Sequence, residues 1–514
     1  MSYLVEQKVG DKVYVYESKG YWDKEKKQCR QKRTYLGRKD PETGGIIKTK
    51  YSPRSVKVKS VTETGGIHVS NELMTQIGLR LCIERCFESQ SDAIVSLLNY
   101  MLLDSGPYYL QQSWAEQTGS VSLSSQRISE LLVDIGENSG KQDQFFREWN
   151  QLLGHQKACY MDITSLSSYA TNIDFLEWGY NRDGESLQQL NLGVLIGETS
   201  GLPLMYRVYP GSISDVATLK TTVEIGRDQY GLDTEQLIMD RGFYSQYNIT
   251  EMVEAGHTFI LPMPFSVNLA KTLLSSTKTA LQSPMEAFSI GDDAFFYCKE
   301  QIIINEIPLI AHIYVNDGRR SSDTRRFMRR LSDLESALSE QTFYNIPMAK
   351  EFLDAHMRYS STLFELSYNE GSVTIKRRRN VLSRWLNRFG KMIILTNDPS
   401  LSKIDIIHHY RQKDCVEKYY DNLKNALNQS RLRVHSQCST EGHLFMTFLT
   451  SIMYMALSSR MKQANLFKSL SIPELLSKLK TIRSVSIADG QDISTEIPKK
   501  VRTILQKLSV PLPN

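Results

Sequence analysis

The chain has 514 residues, 41% of them hydrophobic and 23% charged, with a formal net charge of only +5. The length exceeds one ordinary core and calls for about three domains at roughly 150 residues each; the balance excludes a disordered or fibrous chain. No uninterrupted apolar run approaches the ~18 residues of a membrane span, which excludes a membrane partner. The opening "MSYLVEQKVGDKVYVYES" lacks the basic-then-apolar layout of a secretory signal, so an intracellular, cytoplasmic protein is expected. Seven cysteines are scattered without framework spacing, as suits reduced thiols. His435 and Cys438 have no second ligand pair beside them, so zinc is not expected.

Residues 1–60 form a predicted N-terminal β segment, in which "KVYVYESKGYW" and "QKRTYLGRKD" alternate as short strands. "VTETGGIHVS" reads as a linker. Over 61–155 the apolar spacing becomes helical, as in "SDAIVSLLNYMLLDSG". Within it, "SLSSQRISELLVDIG" joins serine caps to a short amphipathic helix. That suits either the recognition helix of a helix-turn-helix or a plain helical hairpin. A helical DNA-binding region is expected there.

From 156 to 260 the texture is α/β. "ACYMDITSLSSY" is a strand, and "LNLGVLIGETSGLPLMYRVYPG" a hairpin turning at Thr199-Ser200-Gly201. Asp215 is an N-cap candidate for the next helix, and "QLIMDRGFYS" is a fourth strand. The succession opens a mixed sheet with a helix on one face. Residues 261–388 hold short strands between basic helices and read as a β-rich insertion. If "SSDTRRFMRRLSDLESAL" is helical, Arg325, Arg326, Arg329 and Arg330 share one face. Such a face is either merely solvated or phosphate-contacting. Over 389–460 a buried strand returns in "GKMIILTND". It leads into one long amphipathic helix, "DIIHHYRQKDCVEKYYDNLKNAL", and an apolar helix, "HLFMTFLTSIMYMALSSRMK", that packs on the sheet. Residues 461–514 are a helical tail.

Two carboxylates stand out. Asp240 ends an apolar strand in "LIMDRGFYS", and Asp162 lies within another in "CYMDITSL". A buried carboxylate is costly unless hydrogen-bonded, paired or metal-bound. Each has a structural alternative: Asp240 can cap the turn that follows, and Asp162 can bond to Thr164 or Ser165. If the first and fourth strands are neighbours, however, the two acids face each other across ~4.8 Å. They then repel unless a cation intervenes, and hard ions such as Mg²⁺ or Mn²⁺ suit oxygen ligands. Glu417 is the third candidate. Steps of 3, 4 and 7 residues put Tyr410, Lys413, Glu417 and Lys424 on one helical stripe.

Together "MDITSL", "LGVLIGETSGLPLMYRVYPGSISD", "IMDRGFYS" and "YRQKDCVEKYYDNLK" resemble bacterial insertion-sequence transposases of the DDE class. The closer likeness is to the group with a Tyr-x2-Arg-x3-Glu-x6-Lys signature, insertion sequence family four. "RTYLGRKD" resembles the N-terminal part of one branch. The chain departs at Lys413, where the signature usually has Arg. The resemblance implies an RNase H-like sheet interrupted by a β-rich insertion. Asp162, Asp240 and Glu417 would hold two Mg²⁺ or Mn²⁺ ions for in-line displacement. Tyr410, Lys413 and Lys424 would grip phosphates, with Arg325, Arg326 and Arg329 as further DNA contacts. Trp385 is a candidate to stack on a flipped base, or else a packing residue. The implied partners are the inverted-repeat ends and target DNA, bound by a homodimer, with the protein on the nucleoid when DNA-bound. The implied activity is cut-and-paste transposition; the alternative is a DNA-binding descendant without catalysis. A glycosidase could also use two carboxylates, but the Arg-rich insertion and the Tyr–Lys–Glu–Lys stripe oppose it.

Overall fold

A computed structural model describes residues 2–23, 26, 28–48, 58–182, 184–357, 359–369, 372–429, 431–487 and 492–513. They divide into two units: Met1–Val61 with Val485–Ile493, and Thr62–Ser484 with Ser494–Asn514. In the first unit, β1 (Ser2–Val9), β2 (Lys12–Asp23), β3 (Gln28–Lys39) and β4 (Ile46–Ile47) form an antiparallel sheet in that order. Gly10, at φ 60°, supplies the left-handed residue that the two-residue β1–β2 turn needs. A further strand, β5 (Val58–Glu63), precedes the first helix.

The larger unit opens with six helices: α1 (Gly65–Gln76), α2 (Leu79–Cys86), α3 (Ser91–Leu103), α4 (Gln111–Thr118), α5 (Ser125–Glu137) and α6 (Ser139–Leu153). Ser124 caps α5, its hydroxyl accepting from the Arg127 N–H. A mixed sheet follows. Its strands are β6 (Gln156–Ser168), β7 (Gln189–Gly197), β8 (Pro203–Pro210), β9 (Thr234–Met239), β10 (Thr258–Pro262), β11 (Phe288–Ile290), β12 (Asp293–Ile304), β13 (Ile307–Asn316) and β16 (Lys391–Thr396). They lie in the order β11-β12-β13-β16-β10-β9-β6-β7-β8. β6 is antiparallel to β7 and parallel to β9, which is parallel to β10. Helix α7 (Asp215–Tyr230) links β8 to β9, α8 (Gln246–Glu254) links β9 to β10, and α9 (Asn268–Ser276) follows β10. The β7–β8 hairpin turns at Gly201, which has φ 65°.

The segment expected as an insertion divides in two. β11, β12 and β13 extend the central sheet beyond β16, because "LIAHIYV" is apolar on both faces and buries both. Residues from 317 onward gather around a separate small core of Phe327, Leu331, Leu334, Leu353, Leu363 and Phe364. That part is largely helical: α10 (Asp317–Ser339), α11 (Ile346–His356) and α12 (Arg379–Leu386) surround one hairpin, β14 (Phe364–Asn369) with β15 (Ser372–Arg377).

The expected single helix after β16 is broken. α13 (Lys403–Gln412) and α14 (Asp414–Asp421) meet at Lys413, and Asn422–Ala426 winds into a π-turn. A two-residue strand, β17 (Arg431–Leu432), then pairs with the end of β6. The apolar helix α15 (Gln437–Gln463) is buried on nearly every side over its central turns, as a helix between two layers must be. It packs on α5, α3 and α1 and also reaches β8. No helix among the described residues is long and apolar enough to cross a membrane. Helices α16 (Ile472–Leu479) and α17 (Lys499–Lys507) follow; beyond α17, the Ser509 and Pro511 carbonyls accept from Gln76 and His68 of α1.

Two predictions come from α15. A Cβ on Gly442 would collide with the Leu132 carbonyl of α5, and one on Gly136 with the Cys438 backbone. Gly442→Ala should therefore cost about 1–3 kcal/mol by overpacking, read as a lower urea midpoint; an unchanged midpoint would disprove the close crossing. The second concerns His443. Its Nδ1 lies 2.7 Å from the Tyr108 hydroxyl and its Nε2 2.8 Å from Gln429 Oε1, and burial pulls its pKa from 6.5 to about 4. The folded value lies below the unfolded one. The contribution is therefore complete above 6.5 and is lost as pH falls toward 4, for a total of about 3 kcal/mol. Denaturation of wild type and His443→Asn at pH 7 and 4.5 should show the smaller acid loss in the variant. Equal losses would assign the effect to other groups.

Candidate active site

β6 and β9 run side by side in parallel, and Met161 opposite Met239 is their last registered pair. The next residues are Asp162 and Asp240, so the two acids leave the same row on the same face. Asp162 remains in a strand, opposite Val194 of β7, and is only 8% exposed. The buried Tyr420 hydroxyl on α14 lies 2.7 Å from the Asp162 carbonyl oxygen and 3.0 Å from that of Leu192. That contact fixes α14 against the sheet at the acid itself.

Asp162 takes neither expected hydroxyl partner. Its Oδ1 accepts from the Ile163 N–H at 2.9 Å, and two cations approach the carboxylate. Lys413 Nζ is 3.3 Å from Oδ2, and Arg182 Nη1 is 3.7 Å from Oδ1. Asp240 immediately precedes the single turn Arg241–Phe243, yet its side chain makes no capping bond there. The capping reading of Asp240 therefore does not hold. Its charge acts instead on Tyr410 and Lys413.

Lys413 is the hub. It sits at the junction of α13 and α14 with its side chain 5% exposed. Its Nζ is also 3.9 Å from Oε1 of Glu417, whose side chain is 68% exposed. Burial alone would lower the ammonium's pKa, but Asp162, Asp240, Tyr410 and Glu417 together raise it and hold the group charged. Burial pushes the Tyr410 hydroxyl up, and Asp240 adds to that. Asp162 and Glu417 thus share one cationic neighbour, and Asp240 acts on it through its charge. Among the described residues no three acidic, histidine or cysteine side chains stand close enough to hold a metal ion as placed; an ammonium stands between them. The donor set is all carboxylate oxygen around a site that already receives positive charge. Such oxygen donors suit a hard divalent ion rather than a soft one.

Tyr410, Lys413 and Glu417 line one cleft of about 340 Å³, with Arg319, Lys391 and Arg411 on its other walls. Lys424 is not among its lining residues. Lys424 itself lies in the π-turn, where the winding is no longer that of an α-helix, so the seven-residue step does not preserve the stripe. The Lys424 ammonium acts on Glu185 instead. Arg325, Arg326 and Arg329 are exposed on α10, Arg326 lying 3.8 Å from Asp323. The same helix begins beside the cleft, where Asn316 Oδ1 caps the Arg319 N–H at 2.7 Å. Trp385 lies away from the carboxylates, stacked on Phe327 with ring centroids 6.0 Å apart.

Two residues were not singled out for the site by the sequence reading. Asp215 is the first residue of α7 rather than its N-cap, which is Ser214. Its Oδ2 lies 2.5 Å from Arg182 Nη2, in the loop after β6. A Cβ on Gly242 would stand 2.6 Å from that same oxygen, so glycine there lets Asp215 approach the Asp240 turn. Burial, opposed by Arg182, raises the Asp215 pKa, and the charges of Asp162 and Asp240 add to the rise. Arg182 carries no local signal, and the cap role hid Asp215.

A family model for the transposase DDE domain matches residues 154–453, more than half of the chain. The chain belongs to the DDE transposase family. The matched span runs from just before β6 into α15 and includes all three acids. A cryo-EM structure of the piggyBac transposase synaptic complex with hairpin DNA is similar at 9% identity and a TM-score of 0.36. The match covers 76% of this chain and 70% of that one. A search of curated proteins returned no match.

One prediction tests the hub of this transposase domain. Lys413→Met removes a buried partner of Asp162 and should destabilise the metal-free protein by about 3 kcal/mol. Melting in EDTA and in Mn²⁺ should show a larger ion-induced rise for the variant than for wild type. Equal melting in EDTA would mean that this ammonium does not balance the acids.

Proposed function

We propose that this chain is an active cut-and-paste transposase of the bacterial insertion-sequence type, which binds the ends of its element, cleaves them and joins them to target DNA. The observation that carries the reading is the single ammonium of Lys413 among Asp162, Asp240 and Glu417. Acids that attract a cation, with Lys413 and Glu417 joining them to a cleft that Arg319, Lys391 and Arg411 also line, are suited to phosphodiester chemistry. The strand order β8-β7-β6-β9-β10, with β6, β9 and β10 parallel, supports an RNase H-like catalytic core.

In this reading Asp162, Asp240 and Glu417 hold two Mg²⁺ or Mn²⁺ ions. When bound, such ions supply charge stabilisation and an activated nucleophile. The chain's own part is to bind and orient. Tyr410 and Lys413 meet the DNA backbone beside the acids. Arg319, Lys391 and Arg411 extend that contact along the cleft, and Arg325, Arg326 and Arg329 carry it along α10. Arg is the better fork for phosphate, so Lys413 contributes a point charge where the signature has a bidentate donor. The helices of 61–155 are the proposed reader of the element's ends, with the exposed side of α5 (Gln126, Arg127, Ser129) facing solvent for that role. A homodimer would hold the two ends together.

Asp162→Asn keeps the side chain's size and removes its charge. Cleavage of a duplex carrying the element's ends in Mg²⁺ should fall at least about 10³-fold, while affinity for that duplex changes little. Gel-based cleavage and binding assays on the same preparation read both. A wild-type protein that binds the ends and never cuts them would instead be a DNA-binding descendant.

A further inference from the structure

Arg182 is shared unequally between two carboxylates. It holds Asp215 Oδ2 at 2.5 Å through Nη2 and stands 3.7 Å from Asp162 Oδ1 through Nη1. A guanidinium is a planar fork that stays charged, and its strongest pairing is bidentate with a single carboxylate. Asp162 is within its reach, and the second oxygen of that group already faces Lys413. A second cation closing on Asp162 would compete with any other positive charge for Oδ1, which already accepts from the Ile163 N–H.

The surroundings of Asp215 hold Arg182 back. The acid issues from the first turn of α7, where the helix dipole favours an anion. It rests against Gly242, the residue two after Asp240, in space that a side chain there would fill. The position of Asp215 is therefore tied both to α7 and to the turn that carries Asp240.

We propose that Asp215 is a positioning residue that anchors Arg182 and so keeps its guanidinium from closing on Asp162, leaving that carboxylate open to a divalent cation. This rests on the reading of Asp162, Asp240 and Glu417 as the ion ligands. Asp215 reaches the ion only through Arg182, and its removal acts by releasing the guanidinium.

The test is Mn²⁺ binding to the full-length, DNA-free protein, followed by the loss of the free-ion signal in electron paramagnetic resonance. Asp215→Asn should weaken Mn²⁺ about tenfold, within the range typical for groups that support metal ligands. Arg182→Ala alone should bind at least as tightly as wild type. Arg182→Ala with Asp215→Asn should regain wild-type affinity, which a general loss of packing would not give. Three results would overturn the inference: wild-type affinity in Asp215→Asn, weakened binding in Arg182→Ala, or a double variant as weak as Asp215→Asn. The last would make Asp215 itself a ligand. If wild type takes up Mn²⁺ and these variants do not differ, this inference alone falls. If wild type takes up none, the ligand reading falls and takes the inference with it.

Discussion

Two carboxylates that leave neighbouring parallel strands in the same row repel each other, and most of the local architecture answers that repulsion. β6 and β9 reach their last common pair at Met161 and Met239, and Asp162 and Asp240 are the next residues along the two segments. Uncompensated, such a pair forces one acid to stay protonated. Here positive charge is brought in from sequence-distant segments: Lys413 from the α13–α14 junction and Arg182 from the loop after β6. The contact of Tyr420 with the Asp162 carbonyl makes the first of these durable. It ties α14 to the strand, so Lys413 and Glu417 arrive at a set distance from the sheet.

The rest of the larger unit keeps that distance from drifting. α15 lies against the helical layer on one side and reaches β8 on another, and its crossing with α5 is close enough to require Gly136 and Gly442. The Trp149 indole N–H of α6 donates to the Pro203 carbonyl at the start of β8, at 2.8 Å. Helices and sheet thus share one continuous core. A site that must hold like charges together needs such a frame, because a loose scaffold would relieve the repulsion by moving apart.

Much of this was legible in the residues. Apolar strands ending on charge, at "CYMDITSL" and "LIMDRGFYS", marked the two acids; their adjacency hung on the first and fourth strands being neighbours, which the β6–β9 pairing supplies. Helical spacing brought Tyr410, Lys413 and Glu417 to one cleft. Periodicity could not show that the helix breaks at Lys413 and loosens into a π-turn, since "YRQKDCVEKYYDNLKNAL" contains no Pro or Gly to break a helix. Lys424 lies within that π-turn, and its charge acts on Glu185. Nor could it show that "LIAHIYV" joins the central sheet, because an apolar strand does not name its neighbours. Arg182 and Asp215 depend on a loop's path, which local pattern does not encode. The stacking of Trp385 on Phe327 is a packing outcome. Arg325, Arg326 and Arg329 lie exposed on α10, whose first turn lines the cleft through its cap Asn316 and Arg319.

The lysine at 413 changes what this position can do. A guanidinium is planar and pairs best with both oxygens of one carboxylate, whereas an ammonium donates in three directions and can serve several acids at once. With Asp162 at 3.3 Å, Glu417 at 3.9 Å and the Asp240 charge close by, the second geometry is the one needed. The four-carbon stem is also flexible, and the cleft beside it is lined by Arg319, Lys391 and Arg411. Under the proposed reading, an arriving divalent ion and the Lys413 ammonium compete for the same oxygens. A phosphate in the cleft draws the ammonium the other way. Both events favour withdrawal of the lysine from the acids, so ion and DNA binding reinforce each other through one side chain. An arginine held bidentate on one acid would resist that exchange more strongly.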